Sequence, residues 1–599
     1  MKVRLHIDHR LVEADSDAVL IDVMRREGIR VPSMCYLEGM EHNTSCMLCV
    51  VKDRRSGKII PSCSLKAEEG MDIISLDDEV QDARKMALDL LLSEHVGDCE
   101  APCQVTCPAH MDIPLMNRLL ADGKFREALQ VVKKDIALPS VLGRICPAPC
   151  EGACRRRPVD QAVSICLLKR FAGDKDLEGD SPWLPEKAPD TGRRVTIIGA
   201  GPAGLAAAYH LALKGHRCTV IDRHPEAGGS LLMETTPEEL PREVLRRETG
   251  LIGSLGVTFR MNRSVDADGF RELAGSSDAV VVAVGKEESG IEEWGLRMHA
   301  KGVEADPRTY RVGESRVFVV GSALKPSKMA IRALGQGKEV SFSVDQLLRG
   351  EPVTGEKFMF NSRFGKLFPD EYGEYLKESV EGGRLEPESM AEGLTAGQVM
   401  EEARRCMHCD CRKINDCKLR SYSDLYGADQ KRFAFGERVR CVKVDQHEKV
   451  IYEPSKCIKC GVCVRITEKY REELGLTFIG RGFEVAIGVP FNESLASGLK
   501  VAAVEAAEAC PTGALSLKAD FRGSPGSTRT VSPENPGSAR AVSPGSPGST
   551  RTATPGSPGS ARALSPEPNR REAEDPHPQY EAGGPGTVNE PEDPRKQAE

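Results

Sequence analysis

Residues 195–223 read VTIIGAGPAGLAAAYHLALKGHRCTVIDR, and this stretch decides the fold of the middle of the chain. An apolar strand runs into a Gly-x-Gly-x2-Gly turn at Gly199, Gly201 and Gly204. An alanine-rich helical stretch follows, and a second apolar strand ends in Asp222. Gly199 allows the tight turn, Gly201 lets a pyrophosphate approach the backbone, and Gly204 lets helix and strand pack closely. The unpaired N–H groups at the helix start then face the phosphates. Asp222 accepts hydrogen bonds from ribose hydroxyls. A bare glycine pattern is weak, but this one follows a strand, opens a helix and has its acid at the right distance. Spacing alone does not separate FAD from NAD. Further apolar strands, DAVVVAVG (278–285) and RVFVVGS (316–322), alternate with helical stretches. Residues 192–350 are therefore expected to form a Rossmann-like α/β domain with a parallel sheet.

Outward from this domain, cysteine is the dominant feature. The chain has 599 residues, 21 of them cysteine, with a net charge of −8 and 40% hydrophobic residues. The length allows several domains, and the charge gives no basic field for nucleic acid. No run of about 18 apolar residues exists, so no membrane span is expected. The start, MKVRLHIDHR, alternates like a strand and lacks the apolar core of a signal peptide. Cysteines at short spacings without such a signal favour metal ligation in a reducing, cytoplasmic setting over disulfides.

Four sets account for most of them. The first is Cys35-x10-Cys46-x2-Cys49-x13-Cys63, four thiols suited to a [2Fe–2S] cluster, with structural zinc as the alternative. The second spans residues 95–154: His95-x3-Cys99-x3-Cys103-x3-Cys107-Pro, then Cys146-Pro-x2-Cys150-x3-Cys154. The third, RRCMHCDCRKINDCKLR, holds Cys406, Cys409, Cys411 and Cys417 within twelve residues. It reads as a [4Fe–4S] site, with zinc as the rival. The last is Cys457-x2-Cys460-x2-Cys463, the start of a bacterial ferredoxin run whose fourth cysteine is replaced by Thr467, together with a distant Cys510-Pro. In two-cluster ferredoxins the fourth cysteine of each run serves the other cluster. Three cysteines plus Cys510 thus leave one complete [4Fe–4S] set and none of the second. Cys166, Cys218 and Cys441 stand outside these sets, and Cys218, in an apolar strand, reads as a core residue.

Several of these stretches resemble known families. Residues 1–80, with GIRVPSMCY before the first ligand, are similar to the amino-terminal [2Fe–2S] domain of the large iron–sulfur subunit of respiratory complex I and of iron-only hydrogenases. FIGRGFEVAIGVPFNESL (478–495), between Cys463 and Cys510, resembles the corresponding part of the complex I subunit. VLGRICPAPCEGAC (141–154) and the segments 193–285 and 301–350 resemble the glutamate synthase small subunit and, for the cysteines, dihydropyrimidine dehydrogenase. That resemblance implies FAD in the central domain, with Gly321 at its far end. Ser322 stands where the family has aspartate. It also implies two interleaved [4Fe–4S] clusters, one on His95, Cys99, Cys103 and Cys154. The other falls to Cys107, Cys146 and Cys150 with an unidentified fourth ligand. The family supplies a Gln or Glu near Lys169 and Arg170, and Cys166 lies close by. The family inserts a second nucleotide domain between its FAD segments. Here sixteen residues separate Gly285 from Gly302, too few for a βαβ unit of about 30 residues.

The expected architecture is multidomain, α/β and α+β. It comprises a β-grasp [2Fe–2S] domain over 1–80 and a helical [4Fe–4S] domain over 81–173. The FAD domain covers 192–350, a cysteine-rich segment 395–440 and a ferredoxin-like [4Fe–4S] domain 441–520. Residues 521–599, rich in Gly, Ser and Pro and repeating Pro-Gly-Ser-[Thr/Ala]-Arg every 11 residues, are expected to be disordered. The expected cofactors are FAD, one [2Fe–2S] cluster and three to four [4Fe–4S] clusters. The expected role is an electron-transfer subunit of an oxidoreductase. Its partners would be an NADH-oxidising flavoprotein subunit similar to that of complex I or hydrogenases, and a catalytic subunit such as a hydrogenase, formate dehydrogenase or other reductase. A free-standing NAD(P)H:acceptor oxidoreductase and a flavin-free scaffold are the alternatives.

Overall fold

The computed structural model describes residues 1–285, 291–300 and 302–518. The expectation for the tail, 521–599, falls outside them. The chain begins with a hairpin of strands Lys2–Ile7 and Arg10–Asp15. Asp8 and His9 both take positive φ, as a two-residue turn matching the strand twist requires. Alternate residues Val3, Leu5 and Ile7 are buried, which sets the face packed on the helix Leu20–Arg26. Strands Val50–Asp53, Ile59–Pro61 and Asp72–Ile74 complete a five-stranded sheet, in which Asp72–Ile74 runs parallel to the first strand. The helix Asp78–Glu94 follows. Its first turn is capped by the Asp77 carboxylate, which accepts from the Val80 N–H, and it ends at His95.

Helices Ile113–Ala121, Phe125–Asp135, Pro139–Ile145 and Ile165–Leu177 come next. They share one core with the central domain. That domain is a five-stranded parallel sheet in which Arg194–Ile198 is central, flanked by Arg217–Ile221 and Ala279–Val282. Thr258–Arg260 and Val317–Val319 form its edges. The helix Pro202–Leu213 is buried nearly all round because the 20-residue helix Ala330–Arg349 covers the side that the sheet leaves. Between Gly285 and the last strand, Ile291 and Trp294 pack against the sheet, and Trp294 stacks on Phe270 with ring centroids 4.7 Å apart.

The cores do not follow the linear order of the chain. Leu88 and Leu92 of the helix Asp78–Glu94 pack with Met34 and Leu48 and with the carboxy-terminal segment around Val462, Ile466 and Ala506. In that segment strands Val450–Tyr452 and Leu515–Leu517 pair antiparallel and helices Val462–Lys469 and Ala503–Ala509 pack together. Met34, Leu48, Leu88 and Leu92 thus share a core with the carboxy-terminal segment, while the rest of the amino-terminal sheet keeps a core of its own, and the middle of the chain is inserted between the two ends. Among the described residues no helix is long and apolar enough to cross a membrane.

Candidate functional site

The 19 candidate ligands fall into buried groups. In the first, the Cys35 and Cys46 sulfurs lie 3.5 Å apart, and Cys49 and Cys63 complete the set beneath the sheet. Hydrogen bonds from the Cys46 and then the Cys63 thiol hold Cys35 far below the ordinary thiol range. The Cys63 thiol brings Cys49 down to about 7. The same contacts, with burial, push the Cys46 and Cys63 thiols up, so Cys35 and Cys49 are the members held toward the thiolate, the form that binds metal.

In the last group, Cys457, Cys460, Cys463 and Cys510 feel one another's charge across nearly fifty residues of sequence. Thr467, where a ferredoxin carries its next cysteine, is buried. Its hydroxyl donates to the Val464 carbonyl at 2.7 Å and accepts the Leu476 N–H at 3.1 Å. It has become part of the packing.

The middle cysteines sort differently from the expectation. Cys107, Cys146 and Cys150 face a fourth thiol, Cys166, in the first turn of the helix Ile165–Leu177. Hydrogen bonds from Cys146 and then Cys150 pull the Cys166 thiol well down. Lys169, one turn on, sets its ammonium 3.8 Å from the Cys166 sulfur. Burial alone would discharge this lysine, but the charges of Cys166, Cys146 and Cys150 outweigh burial and raise its pKa. Arg170 points elsewhere, to the Met390 carbonyl. At the family's Gln/Glu position Lys169 faces the group as a cation and Arg170 turns away; the fourth thiol beside the group is Cys166, three residues upstream. Its proximity in sequence was the signal.

Cys99 and Cys103 do not share a group. Cys103 and Cys154 line one pocket with Cys406 and Cys409. Burial, then Cys406, Cys409 and Cys154, push the Cys103 thiol up. Cys99 instead lies with Cys411 in a separate buried patch, and the Cys411 N–H donates to the Cys99 carbonyl at 3.0 Å. The Cys417 thiol is pushed up by burial and then by Cys411 and Cys99. The four cysteines of the third set are therefore not turned toward one point. His95 is buried at the end of the helix Asp78–Glu94. Its Nδ1 and the Lys456 carbonyl are 3.1 Å apart, and Lys456 also faces Cys411. Burial lowers the His95 pKa to about 4. With Nδ1–H donating to that carbonyl, Nε2 carries the lone pair a metal requires. Cys218 is a core residue with its thiol pushed up to about 12 by burial. Cys441 is buried beside Tyr375 and Met407.

The central domain opens a cavity of about 710 Å³, bounded at one end by Asp222 and at the other by Gly321, Ser322 and Met329. Gly199 has φ +109, and a side chain there would overlap the Ala283 carbonyl. At Gly201 a Cβ meets nothing nearer than the Gly229 Cα at 4.0 Å, so the approach a phosphate needs is open. The Asp222 carboxylate accepts the Ala200 N–H at 2.6 Å and the His224 N–H at 2.8 Å. These bonds fix it on the cavity wall, with lone pairs left for ribose hydroxyls. The residues present fit a dinucleotide. Arg144 and Ile145 line the same cavity, and the next residue is Cys146. Lys338, on the long helix, donates to the Ala109 carbonyl at 3.2 Å and pairs with Asp135 at 2.8 Å. This ties the dinucleotide domain to the segment after Cys107.

Family models match four stretches of the chain. They are a 2Fe-2S iron-sulfur cluster binding domain over 1–77 and the dihydropyrimidine dehydrogenase domain II, 4Fe-4S cluster, over 93–181. An NAD(P)-binding Rossmann-like domain matches 197–249, and the ferredoxin-like domain of NADH-quinone oxidoreductase subunit 3 matches 448–516. NADPH-Fe(3+) oxidoreductase subunit beta of Geobacter sulfurreducens is 38% identical over 245 residues, 40% of this chain and 34% of that protein. NADP(+)-dependent formate dehydrogenase subunit beta of Moorella thermoacetica is 39% identical over 207 residues, 31% of this chain and 29% of that protein. Glutamate synthase [NADPH] small chain of Escherichia coli is 37% identical over 192 residues, 31% of this chain and 40% of that protein. The alignments span only about a third of the length of these relatives. The chain thus joins a 2Fe-2S domain, a 4Fe-4S domain, a Rossmann-like domain and a complex-I-type ferredoxin-like domain, in that order, and its homologues are oxidoreductase subunits.

Proposed function

We propose that this chain is the electron-transfer subunit of a multi-subunit oxidoreductase. It holds one FAD in the central cavity and a series of iron–sulfur clusters at the thiol groups. The observation that carries this reading is continuity. The cavity wall at Arg144 and Ile145 runs directly into Cys146, and the thiol groups follow one another from there to the amino-terminal sheet. At that end Cys460 feels the charge of Cys35, and Lys418 faces both Cys460 and Cys46. Bound in these places, a flavin exchanges one or two electrons and thiolate-ligated clusters pass one at a time, which is the chemistry of a converter and relay.

The protein's own part is to bury and fix the donors. Cys35, Cys46, Cys49 and Cys63 would hold the [2Fe–2S] cluster. Cys107, Cys146, Cys150 and Cys166 would hold the [4Fe–4S] cluster beside the flavin. Cys457, Cys460, Cys463 and Cys510 would hold the one toward the sheet. Gly199, Gly201, Gly204 and Asp222 position the adenosine and pyrophosphate end of FAD, and Gly321 the far end. The ammonium of Lys169 offsets thiolate charge that would otherwise be costly to bury. Between Gly285 and Gly302 there is no room for a second nucleotide domain, and Ile291 and Trp294 of that stretch pack on the sheet. Electrons would then enter from an NADH-oxidising flavoprotein partner and leave to a catalytic reductase or dehydrogenase subunit, or flow in reverse. A cytoplasmic location fits the reduced thiols this reading needs.

A second reading has one observation in its favour. The matching family model is described as NAD(P)-binding and the relatives' names include NADPH. On that reading the cavity takes NADPH itself. The purified chain separates the two. A flavin spectrum, with very slow bleaching on stopped-flow mixing with NADH or NADPH, supports the relay. A colourless cavity that binds NADPH, or flavin bleaching at catalytic rates in the lone chain, overturns it.

A further inference from the structure

We propose that two irregular segments, residues 362–371 and 426–445, form a docking surface for a small acidic protein that carries a one-electron iron–sulfur centre. The surface is a third port of the relay, between its two ends. The inference deepens the relay reading and rests on it for the electron transfer, though not for the docking itself. No family match falls between residues 249 and 448, so this surface lies outside all four matched domains.

Between the helix Lys418–Leu425 and the strand Val450–Tyr452 the chain forms neither helix nor strand. Ordered connections longer than about 12–15 residues are usually functional. Side chains rather than a ladder hold this one to its neighbour. The Gln430 side-chain carbonyl accepts the Arg363 N–H at 2.9 Å, and its amide donates to the Ser362 hydroxyl at 2.9 Å. Arg438 pairs with both Glu371 oxygens at 2.6 Å and donates to the Lys366 carbonyl at 2.8 Å. The inner side of the pair is bonded to the thiol-bearing chain. The Cys99 N–H donates to the Ser362 carbonyl at 3.1 Å, and the Phe364 N–H donates to the Asp98 carboxylate at 3.0 Å. The two segments are therefore the outer cover of the buried thiols.

A stack of guanidinium and phenyl groups runs through this cover to solvent. Arg155 lines the pocket that holds Cys154 and Cys409. Its guanidinium lies 4.2 Å from the centre of the Phe364 ring, and Arg438 lies over the same ring at 4.8 Å. Arg438 also lies over Phe368 at 4.2 Å, and the exposed Arg440 caps Phe368 at 3.6 Å. Stacks of this kind are mutually attractive and fix both partners, so a centre docked over Arg440 comes near the thiol pocket without movement of the chain. The surface around Arg440 is basic and apolar. Residues 363–371 and 428–444 carry seven basic side chains against four acidic ones, in a chain whose net charge is −8. Arg363, Lys366 and Lys431 are exposed, and none of them pairs with a carboxylate among the described residues. Phe435 is 99% exposed beside Gly436 at φ +69, with Val439 and Val442 exposed nearby. An aromatic anchor within a rim of unpaired cations suits a partner of opposite charge. In the exchange one electron leaves the carrier's reduced centre, which is oxidised, and reduces a centre of this chain, with no bond or proton transferred.

The test uses the full-length chain, anaerobic and loaded with flavin and clusters, and an acidic plant-type [2Fe–2S] ferredoxin as the probe. Surface plasmon resonance on immobilised ferredoxin reads association and dissociation separately. Wild type should bind at low salt and bind more weakly at about 0.15 M ionic strength, where charges are screened within about 8 Å. Arg363→Glu, Lys366→Glu and Lys431→Glu combined should weaken binding by about tenfold or more, through slower association. Phe435→Ala should weaken it by about tenfold, through faster dissociation. A basic cytochrome c should bind the triple variant no more weakly than wild type, which shows that the variant is folded. Ferredoxin binding unchanged in both variants overturns the proposal; if sedimentation then shows that they lose a dimer formed by wild type, the face pairs two copies of the chain instead. Mixing with chemically reduced ferredoxin separates the two ideas. Bound ferredoxin that reduces neither flavin nor clusters would end the relay reading and leave the docking surface standing. Equal reduction rates in wild type and the triple variant at low salt would overturn the docking surface and leave the relay.

Discussion

Gly201 and Gly204 belong to one motif, yet the structure expects their alanine variants to fail in different ways. At Gly204 an added Cβ would run into the Gly199 carbonyl oxygen and come within 3.2 Å of the Ile197 Cγ2. The first is backbone, in a turn already held at φ +109, and it has no freedom to move aside. Overpacking of this kind costs about 1–3 kcal/mol, of which the better helix propensity of alanine recovers no more than about 1 kcal/mol. At Gly201 the backbone sits at φ −76, ψ −178, a conformation open to any residue, and a Cβ meets only the Gly229 Cα at 4.0 Å. Gly201→Ala should therefore leave stability within about 0.5 kcal/mol of wild type. Its methyl group instead occupies the approach that the pyrophosphate uses. A comparable overpacking cost of about 1–3 kcal/mol, now charged to binding alone, weakens dinucleotide affinity by roughly 5- to 150-fold. The assays are urea unfolding of the apo-chain and flavin fluorescence quenching. A Gly201→Ala chain that binds flavin like wild type, or a Gly204→Ala chain as stable as wild type, would refute the packing argument.

Other expectations follow from buried charges. Glu248 is buried, and its carboxylate accepts the Ser140 and Val141 N–H groups at 2.8 and 2.9 Å at the start of the helix leading to Cys146. Burial raises its pKa from 4.5 to about 7, against those two bonds. The folded state thus binds this proton more tightly than the unfolded state, and stability falls as pH rises from about 4.5 to 7, by up to about 3 kcal/mol. Glu248→Gln should flatten that slope in denaturation curves across the window, and an unchanged slope would discount the group. Glu402 is fully buried, accepts the Ser164 and Leu385 N–H groups and pairs with Arg405 at 2.7 Å. Glu402→Ala leaves Arg405 buried with one partner fewer and should cost about 3–5 kcal/mol in urea unfolding; a loss under 1 kcal/mol would contradict this. Lys169→Met removes the cation beside Cys166, so one centre should shift to more negative potential in a redox titration, and a positive shift would reverse the electrostatic argument.

The candidate cysteine runs stand out in the sequence because they are short and local, and the glycine turn stands out because its requirements act within ten residues. The pairing does not. Cys99 finds Cys411 across some three hundred residues of inserted chain, and Cys103 finds Cys406 the same way. The spacing within RRCMHCDCRKINDCKLR carries no mark of the bend at Asp410 that divides it. Cys166 was visible as a leftover thiol near the missing ligand position, but only the helix start at Ile165 turns it toward Cys146 and Cys150. The cysteine-rich segment 395–440 is also divided in its packing, since Val399 and Ala403 belong to the central core and Leu419 to the terminal one. Such a division of one segment between two cores depends on tertiary contacts that no local pattern encodes.

The central claim is that the flavin cavity and the amino-terminal cysteine group are the two ends of one relay. Freeze-quench electron paramagnetic resonance tests it most directly. The flavin of the anaerobic, fully loaded chain is photoreduced by a light pulse in the presence of a sacrificial amine electron donor, which is oxidised, and the signal of the cluster on Cys35, Cys46, Cys49 and Cys63 is followed in time, in wild type and in Cys411→Ala. The account predicts that this signal grows after the pulse in wild type and is absent or greatly slowed in the variant, while the cluster itself remains present. Equal growth in both chains, or none in wild type, would contradict it.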